Sequence, residues 1–164
     1  MVTDPLPTDV VAARVCDLPD PELPVVSLGE LGVIQRVSKA VDGHLEVVFT
    51  PTFLGCPALP AIAEAIAAVL AECGHPDGKV RQAAAPAWST DRISAAGRRK
   101  LAEHGIAPPR PVNAPTPVRL GLGAPCPHCG SAATRPHSTF GPTRCQSILR
   151  CTACGETFPY LATV

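Results

Sequence analysis

Between residues 44 and 50 apolar side chains fall on every second position, Leu45, Val47 and Phe49, which is the period of a strand with one buried face. Asp42-Gly43 precedes them as a strong hairpin-turn dipeptide, so Val33–Val41 reads as the partner strand and His44–Thr50 as the return strand. After residue 58 the period changes. Leu59, Ile62, Ile66, Val69 and Cys73 recur every three or four positions and predict a helix from about Ala58 to Cys73 with Cys73 in its buried stripe. A shorter helix is expected over Val10–Asp17, capped by Thr8 or Asp9, with Val11 and Val15 on one face. Pro19, Pro21 and Pro24 then rule out helix and leave an ordered turn segment carrying Asp17, Asp20 and Glu22. A weak third strand begins near Lys79. A helix from Arg92 to about His104, capped by Thr90 or Asp91, is closed by Gly105, and Trp88 before it reads as a core plug. The pattern is that of a small α/β domain, a mixed sheet with packed helices.

The periodicity stops at residue 108. Residues 108–127 hold seven of the chain's 20 prolines, which reads as an extended spacer. The expected organisation is therefore a domain over 1–107, a proline-rich linker over 108–119 and a second module over 120–164. That module contains Cys126-Pro-His-Cys129-Gly130 and Cys151-Thr-Ala-Cys154-Gly155, two C-x-x-C knuckles 21 residues apart. The spacing points to a tetrahedral Zn(Cys)4 ribbon, with Cys126, Cys129, Cys151 and Cys154 as ligands and strands near Thr134–Ser138, Ser147–Arg150 and Thr157–Tyr160. So little apolar material lies between the knuckles that metal must supply the folding energy. His128 and His137 are nearby alternatives that four cysteines make unnecessary. Cys145, between the knuckles, is either buried or a reactive thiol.

The formal charge is zero but unevenly spread: residues 1–91 carry 12 acidic and 5 basic side chains (−7), and residues 92–164 carry 2 and 9 (+7). A zinc ion with four thiolates contributes −2 and brings the second part to about +5. The two parts can attract each other, or the second can dock on an acidic partner. No dense Lys/Arg block and only 4% aromatic residues argue against nucleic acid. The start lacks the pattern of a signal peptide, and the greasiest run, 58–70, is short and broken by Pro60 and Glu64, so a cytoplasmic protein without a membrane span is expected.

Thr50-Pro-Thr-Phe-Leu-Gly-Cys-Pro57 joins the return strand to the long helix. Pro57 suits the first helical position, Gly55 admits unusual backbone angles, and Cys56 is expected near the N-cap. A helix N-terminus lowers a thiol pKa below its usual value of about 8.5. Asp20 and Glu22, folded beside it, would oppose that. The plain alternative is a small buried hydrophobe.

Asp20-Pro-Glu-Leu-Pro24, Leu31-Gly-Val33 and Gly55-Cys-Pro57 resemble the MIP18-like domain (the domain of unknown function 59 family), which is associated with iron–sulfur cluster assembly. Pro86-Ala-Trp-Ser-Thr-Asp91, Gly105-Ile-Ala-Pro-Pro109, Ser138-Thr-Phe-Gly-Pro-Thr-Arg-Cys145 and the knuckles resemble the phenylacetate-CoA oxygenase subunits of the PaaD/PaaJ type. The chain departs from that pattern at Ser89 and Arg92. The resemblance implies an accessory protein of aerobic phenylacetate degradation, not itself catalytic. Its partners would be a di-iron epoxidase acting on phenylacetyl-CoA and a reductase with flavin and an iron–sulfur cluster. Cys56, with Asp20, Glu22 and Cys145, would handle iron or a transient cluster during metal-centre maturation. One thiolate per chain cannot hold a [2Fe–2S] cluster, so a homodimer, Cys145 or a client would complete the site. The rival expectation is a structural adaptor that holds oxygenase components together. A thiol-dependent hydrolase lacks a base-and-orienter pair for Cys56.

Overall fold

The computed structural model describes residues 4–109 and 124–161. The linker expected over 108–119 lies, from residue 110 on, outside the described residues. The chain forms two compact units, Met1–Trp88 and Ser89–Val164.

The first unit runs α1 (Thr8–Cys16), β1 (Ile34–Lys39), β2 (Leu45–Phe49), α2 (Leu59–Glu72) and β3 (Lys79–Gln82). Its sheet has the order β1-β2-β3, with β1 antiparallel and β3 parallel to β2, so it is mixed as expected. The hairpin turns at Asp42-Gly43. Gly43 takes φ +87°, a region open to glycine, and the Asp42 carboxylate accepts the His44 N–H at 3.2 Å. Leu45, Val47 and Phe49 of β2 are buried as the alternation expects, and so is Val48 between them; Val11 and Val15 of α1 and Ile62, Ile66 and Leu70 of α2 are buried in the same unit. Cys73 is buried just past the end of α2. Trp88 is buried, and its indole N–H donates to the Leu31 carbonyl at 2.9 Å, which settles it as a core plug.

Ile66 is 0% exposed at the centre of the α2 stripe. Ile66→Asp places a carboxylate there with no partner, and we expect a loss of about 4 kcal/mol or more, enough to abolish cooperative folding of this unit. A denaturant titration checks this; a wild-type midpoint would mean that the buried face of α2 is another one.

The second unit begins with a single 3-10 turn, Thr90–Arg92, and α3 (Ala95–Glu103). The cap of α3 is Ser94, whose Oγ accepts the Gly97 N–H at 3.0 Å, rather than Thr90 or Asp91. Those two residues lie inside the 3-10 turn, which Ser89 caps. β4 (Thr134–Ser138), β5 (Gln146–Cys151) and β6 (Thr157–Leu161) form an antiparallel ribbon in that order, within a residue or two of the expected strands. Ala107 pairs with the free side of β6: its N–H donates to Pro159 O at 2.8 Å, and its carbonyl accepts the Leu161 N–H at 3.2 Å. That pairing draws residues 89–107 into the ribbon's unit, so the division falls after Trp88, ahead of the expected border at 107. Among the described residues of this unit, Ala107, Ala124, Cys126, Leu149, Cys151, Phe158 and Tyr160 form one small buried cluster, and Ile93, Leu101 and Leu161 are buried as well. Among the described residues no helix is long and apolar enough to cross a membrane.

Candidate functional site

The two knuckles are built alike. In the first, Cys126 N–H donates to Ser131 O at 2.9 Å and Gly130 N–H to Cys126 O at 2.8 Å; in the second, Cys151 N–H donates to Glu156 O at 2.8 Å and Gly155 N–H to Cys151 O at 3.1 Å. Gly130 and Gly155 take φ +73° and +82°, so each chain turns back under its two sulfurs at a position suited to glycine. The thiols of Cys126, Cys129, Cys151 and Cys154 lie within 4.8 Å of one another. Cys126 Sγ is 3.8 Å from Cys154 Sγ, and Cys129 Sγ is 3.6 Å from Cys151 Sγ. A tetrahedron with metal–sulfur bonds of about 2.3 Å has edges of about 3.8 Å, so these two pairs stand at tetrahedral separations and the four sulfurs are close enough to share one ion. Backbone N–H groups of Cys154 and Ala153 point at Cys151 Sγ and hold its pKa down to about 6. Those of Ser131 and Glu156 serve Cys129 and Cys154. These are the second-layer donors a thiolate–metal centre needs. His128 sits edge-on to the Phe158 ring at 6.3 Å, and neither it nor His137 joins the group.

In the first unit the sequence-predicted residues Asp20, Glu22 and Cys56 come together although 34 residues separate Glu22 from Cys56. Asp20 is buried, and its Oδ1 accepts the backbone N–H groups of Glu22 (2.9 Å) and Leu23 (2.8 Å), which folds the proline-rich segment into a tight turn. That turn places the Glu22 carboxylate to accept the Cys56 S–H at 3.5 Å. Burial raises the Asp20 pKa despite those two hydrogen bonds, with Glu22 adding to the rise.

Three local expectations fail here. The helix begins at Leu59 with Ala58 as its N-cap and Pro60 in its first turn, so Pro57 is not the first helical residue and Cys56 lies two positions ahead of the cap. Gly55 is not among the glycines with positive φ; it is small because a Cβ would stand 2.8 Å from the Phe53 ring. The thiol pKa goes up, from the ordinary 9.0 to about 11. Burial is the main cause; the Ala58 N–H pulls the other way, and the Glu22 and Asp20 carboxylates push further up. Half-buried Cys56 is therefore a protonated thiol facing two carboxylates. Such a cluster is a poor nucleophile but has one soft and two hard donor groups.

Cys145 belongs to the second unit, where it is buried and lies 3.1 Å from Thr143 Oγ1. Leu54, on the Cys56 turn, is 62% exposed.

Residues 113–162 match a sequence family described as the PaaD zinc beta ribbon domain, and residues 11–84 match one described as iron-sulfur cluster assembly protein. A curated protein of Escherichia coli K12, named as a putative 1,2-phenylacetyl-CoA epoxidase subunit, is 36% identical over 152 residues, spanning 90% of this chain and 88% of the relative. Among solved structures, a domain of unknown function 59 from Bacillus anthracis is similar with a TM-score of 0.52 and 25% identity, over 57% of this chain and 90% of that one. A conserved hypothetical protein from Thermotoga maritima has a TM-score of 0.50 and 20% identity, over 60% of this chain and 97% of that one, and shares the fold.

Proposed function

Since the chain belongs to the PaaD family of 1,2-phenylacetyl-CoA epoxidase subunits, we propose that it is a cytoplasmic accessory protein of that multicomponent system, acting in metal-centre assembly. The observation that carries this reading is the Cys56–Glu22–Asp20 cluster, which lies wholly within the segment matching iron-sulfur cluster assembly proteins. Iron, as cargo, is met by the Cys56 sulfur and the Glu22 carboxylate, and the thiol proton leaves to solvent. A thiol that stays protonated without metal favours release over retention, as a carrier requires. One cysteine and two carboxylates per chain leave positions for ligands from the recipient or from a second copy. The recipient in this reading is the oxygenase or its iron–sulfur flavin reductase. In the ribbon, Cys126, Cys129, Cys151 and Cys154 hold zinc in a structural site closed by four protein ligands.

Anaerobic incubation with ferrous iron and sulfide, followed by metal analysis and absorption spectra, tests the role. Wild type should take up iron and pass it to apo-reductase; Cys56→Ser should lose at least about 90% of that uptake while keeping one zinc per chain. Equal iron uptake and transfer by Cys56→Ser would overturn the role. The uneven charge, −7 over residues 1–91 and +7 over 92–164, favours a second reading, an adaptor that holds components together. An adaptor predicts that Cys56→Ser supports full epoxidase activity.

A further inference from the structure

We propose that the β4–β5 hairpin of the ribbon is a docking surface for an acidic protein partner that offers an apolar pocket to the hairpin tip and carboxylates along the hairpin. The metal centre lies at the knuckles, and nothing in it requires what the hairpin carries. Arg135 of β4 and Arg150 of β5 are directly opposite in the ladder, on one face of the sheet, and both are exposed. Like charges at opposed positions of an antiparallel pair destabilise it. Neither arginine forms an ion pair among the described residues, and Glu156, the acidic residue nearest Arg150 in sequence, pairs with neither. Arg144, exposed on the connecting loop, has no ion pair there either. The hairpin thus carries three exposed arginines without a carboxylate partner among the described residues; the cysteine group beside Arg150 is the one negative centre near that pair.

At the tip of the same hairpin Phe140 is 85% exposed. The loop around it is well tied. Ser138 Oγ accepts the Phe140 N–H at 3.1 Å and donates to the Phe140 carbonyl at 2.9 Å. Gly141 N–H donates to Gln146 O at 2.9 Å, and Gln146 N–H to Thr143 O at 3.1 Å. A Cβ on Gly141 would come within 2.9 Å of the Gln146 backbone, so the loop closes this tightly only with glycine there. A large aromatic held out on a braced loop has little conformational entropy to lose on binding. Aromatic and arginine side chains are also the residue types that dominate protein–protein hot spots. Carboxylates on the partner would relieve the Arg135–Arg150 opposition at the knuckle end of the hairpin, while an apolar pocket takes Phe140 at its tip. Nucleic acid fits less well, because three arginines on one hairpin neutralise too few phosphates for firm binding.

This inference rests on the proposed role only for the choice of partner to test. Binding of the full-length, metal-loaded chain to the purified oxygenase complex and to the reductase is measured at low and high salt. Wild type should bind one of them, and more weakly at high salt. Phe140→Ala should weaken that binding about tenfold, as should Arg135→Gln combined with Arg150→Gln, and the arginine variant should lose most of the salt dependence. Both variants should keep wild-type metal content and far-UV spectra, which separates docking from folding. Cys56→Ser should bind like wild type, so a failure of iron handling and a failure of docking are read separately. Unchanged affinity in both variants overturns the inference, and so does the absence of wild-type binding to either component. Tighter, arginine-dependent binding to a short DNA duplex also overturns it, in favour of a nucleic-acid surface.

Discussion

Stripped of its metal, the unit from Ser89 onward loses its fold while the unit ending at Trp88 keeps its own. The buried cluster of the ribbon among the described residues is small, and Cys126 and Cys151, two of its members, belong to the four-cysteine group. Structural zinc supplies about 10–16 kcal/mol of binding free energy in small modules, as large as the whole stability of an ordinary domain, roughly 5–15 kcal/mol. Leu149, Phe158 and Tyr160 cannot replace it. Chelation, or Cys151→Ser, should therefore remove hydrogen-exchange protection across β4, β5 and β6. The Ala107 amide should lose protection with them, because its acceptor is Pro159 of β6. Amides of β1, β2 and α2 should hold, since their core of Val47, Phe49, Ile66 and Leu70 contains no metal ligand. Amide exchange read by NMR or mass spectrometry before and after chelation checks both halves, and a ribbon that stays protected without metal would overturn the expectation. Metal analysis of the untreated protein should find about one zinc per chain.

The parts of this chain that were legible in advance are those whose signal is local. Alternation at Leu45, Val47 and Phe49, the Asp42-Gly43 turn, the apolar stripe of α2 and the knuckle spacing each specify their structure within a few residues, and all four stand where they were expected. The start of α2 was ambiguous because Pro57 and Pro60 both suit a first turn; the Cys56 turn uses up Pro57 and the helix takes Pro60. The border between units was hidden for a different reason. Ala107 looks like the last residue before a proline run, and its pairing with β6, far along the chain, is a long-range tie to the ribbon that no local pattern encodes. Whether the acidic turn would be a solvated loop or a rim beside Cys56 was open in the sequence, and the balance between helix terminus, burial and carboxylates depends on distances that no pattern encodes.

Cys56 should alkylate slowly at neutral pH. Its pKa rises from 9.0 to about 11, first through burial and then through the carboxylates of Glu22 and Asp20. The rise lowers the thiolate fraction near pH 7 about 100-fold. A more basic thiolate is the better nucleophile, by close to a factor of about ten over the same interval, so the net rate should be about tenfold below that of an ordinary exposed thiol. Cys56 should still label ahead of Cys73, which is 1% exposed, because access decides that comparison. Glu22→Gln removes one negative charge and its hydrogen bond, and should speed labelling about threefold without restoring the ordinary rate, since burial remains. The sign also carries into stability. A thiol whose pKa is higher folded than unfolded stabilises the fold fully below pH 9 and loses that contribution as pH climbs through about 11. Wild type should therefore lose thermal stability between pH 9 and 11 more steeply than Cys56→Ser. Iodoacetamide rates across that range, read by peptide mass analysis with the knuckles metal-loaded, measure the inflection. An inflection at or below about 8.5 would mean that the helix terminus wins after all and Cys56 is a standing thiolate. It would then be suited to retaining a cation rather than handing one on.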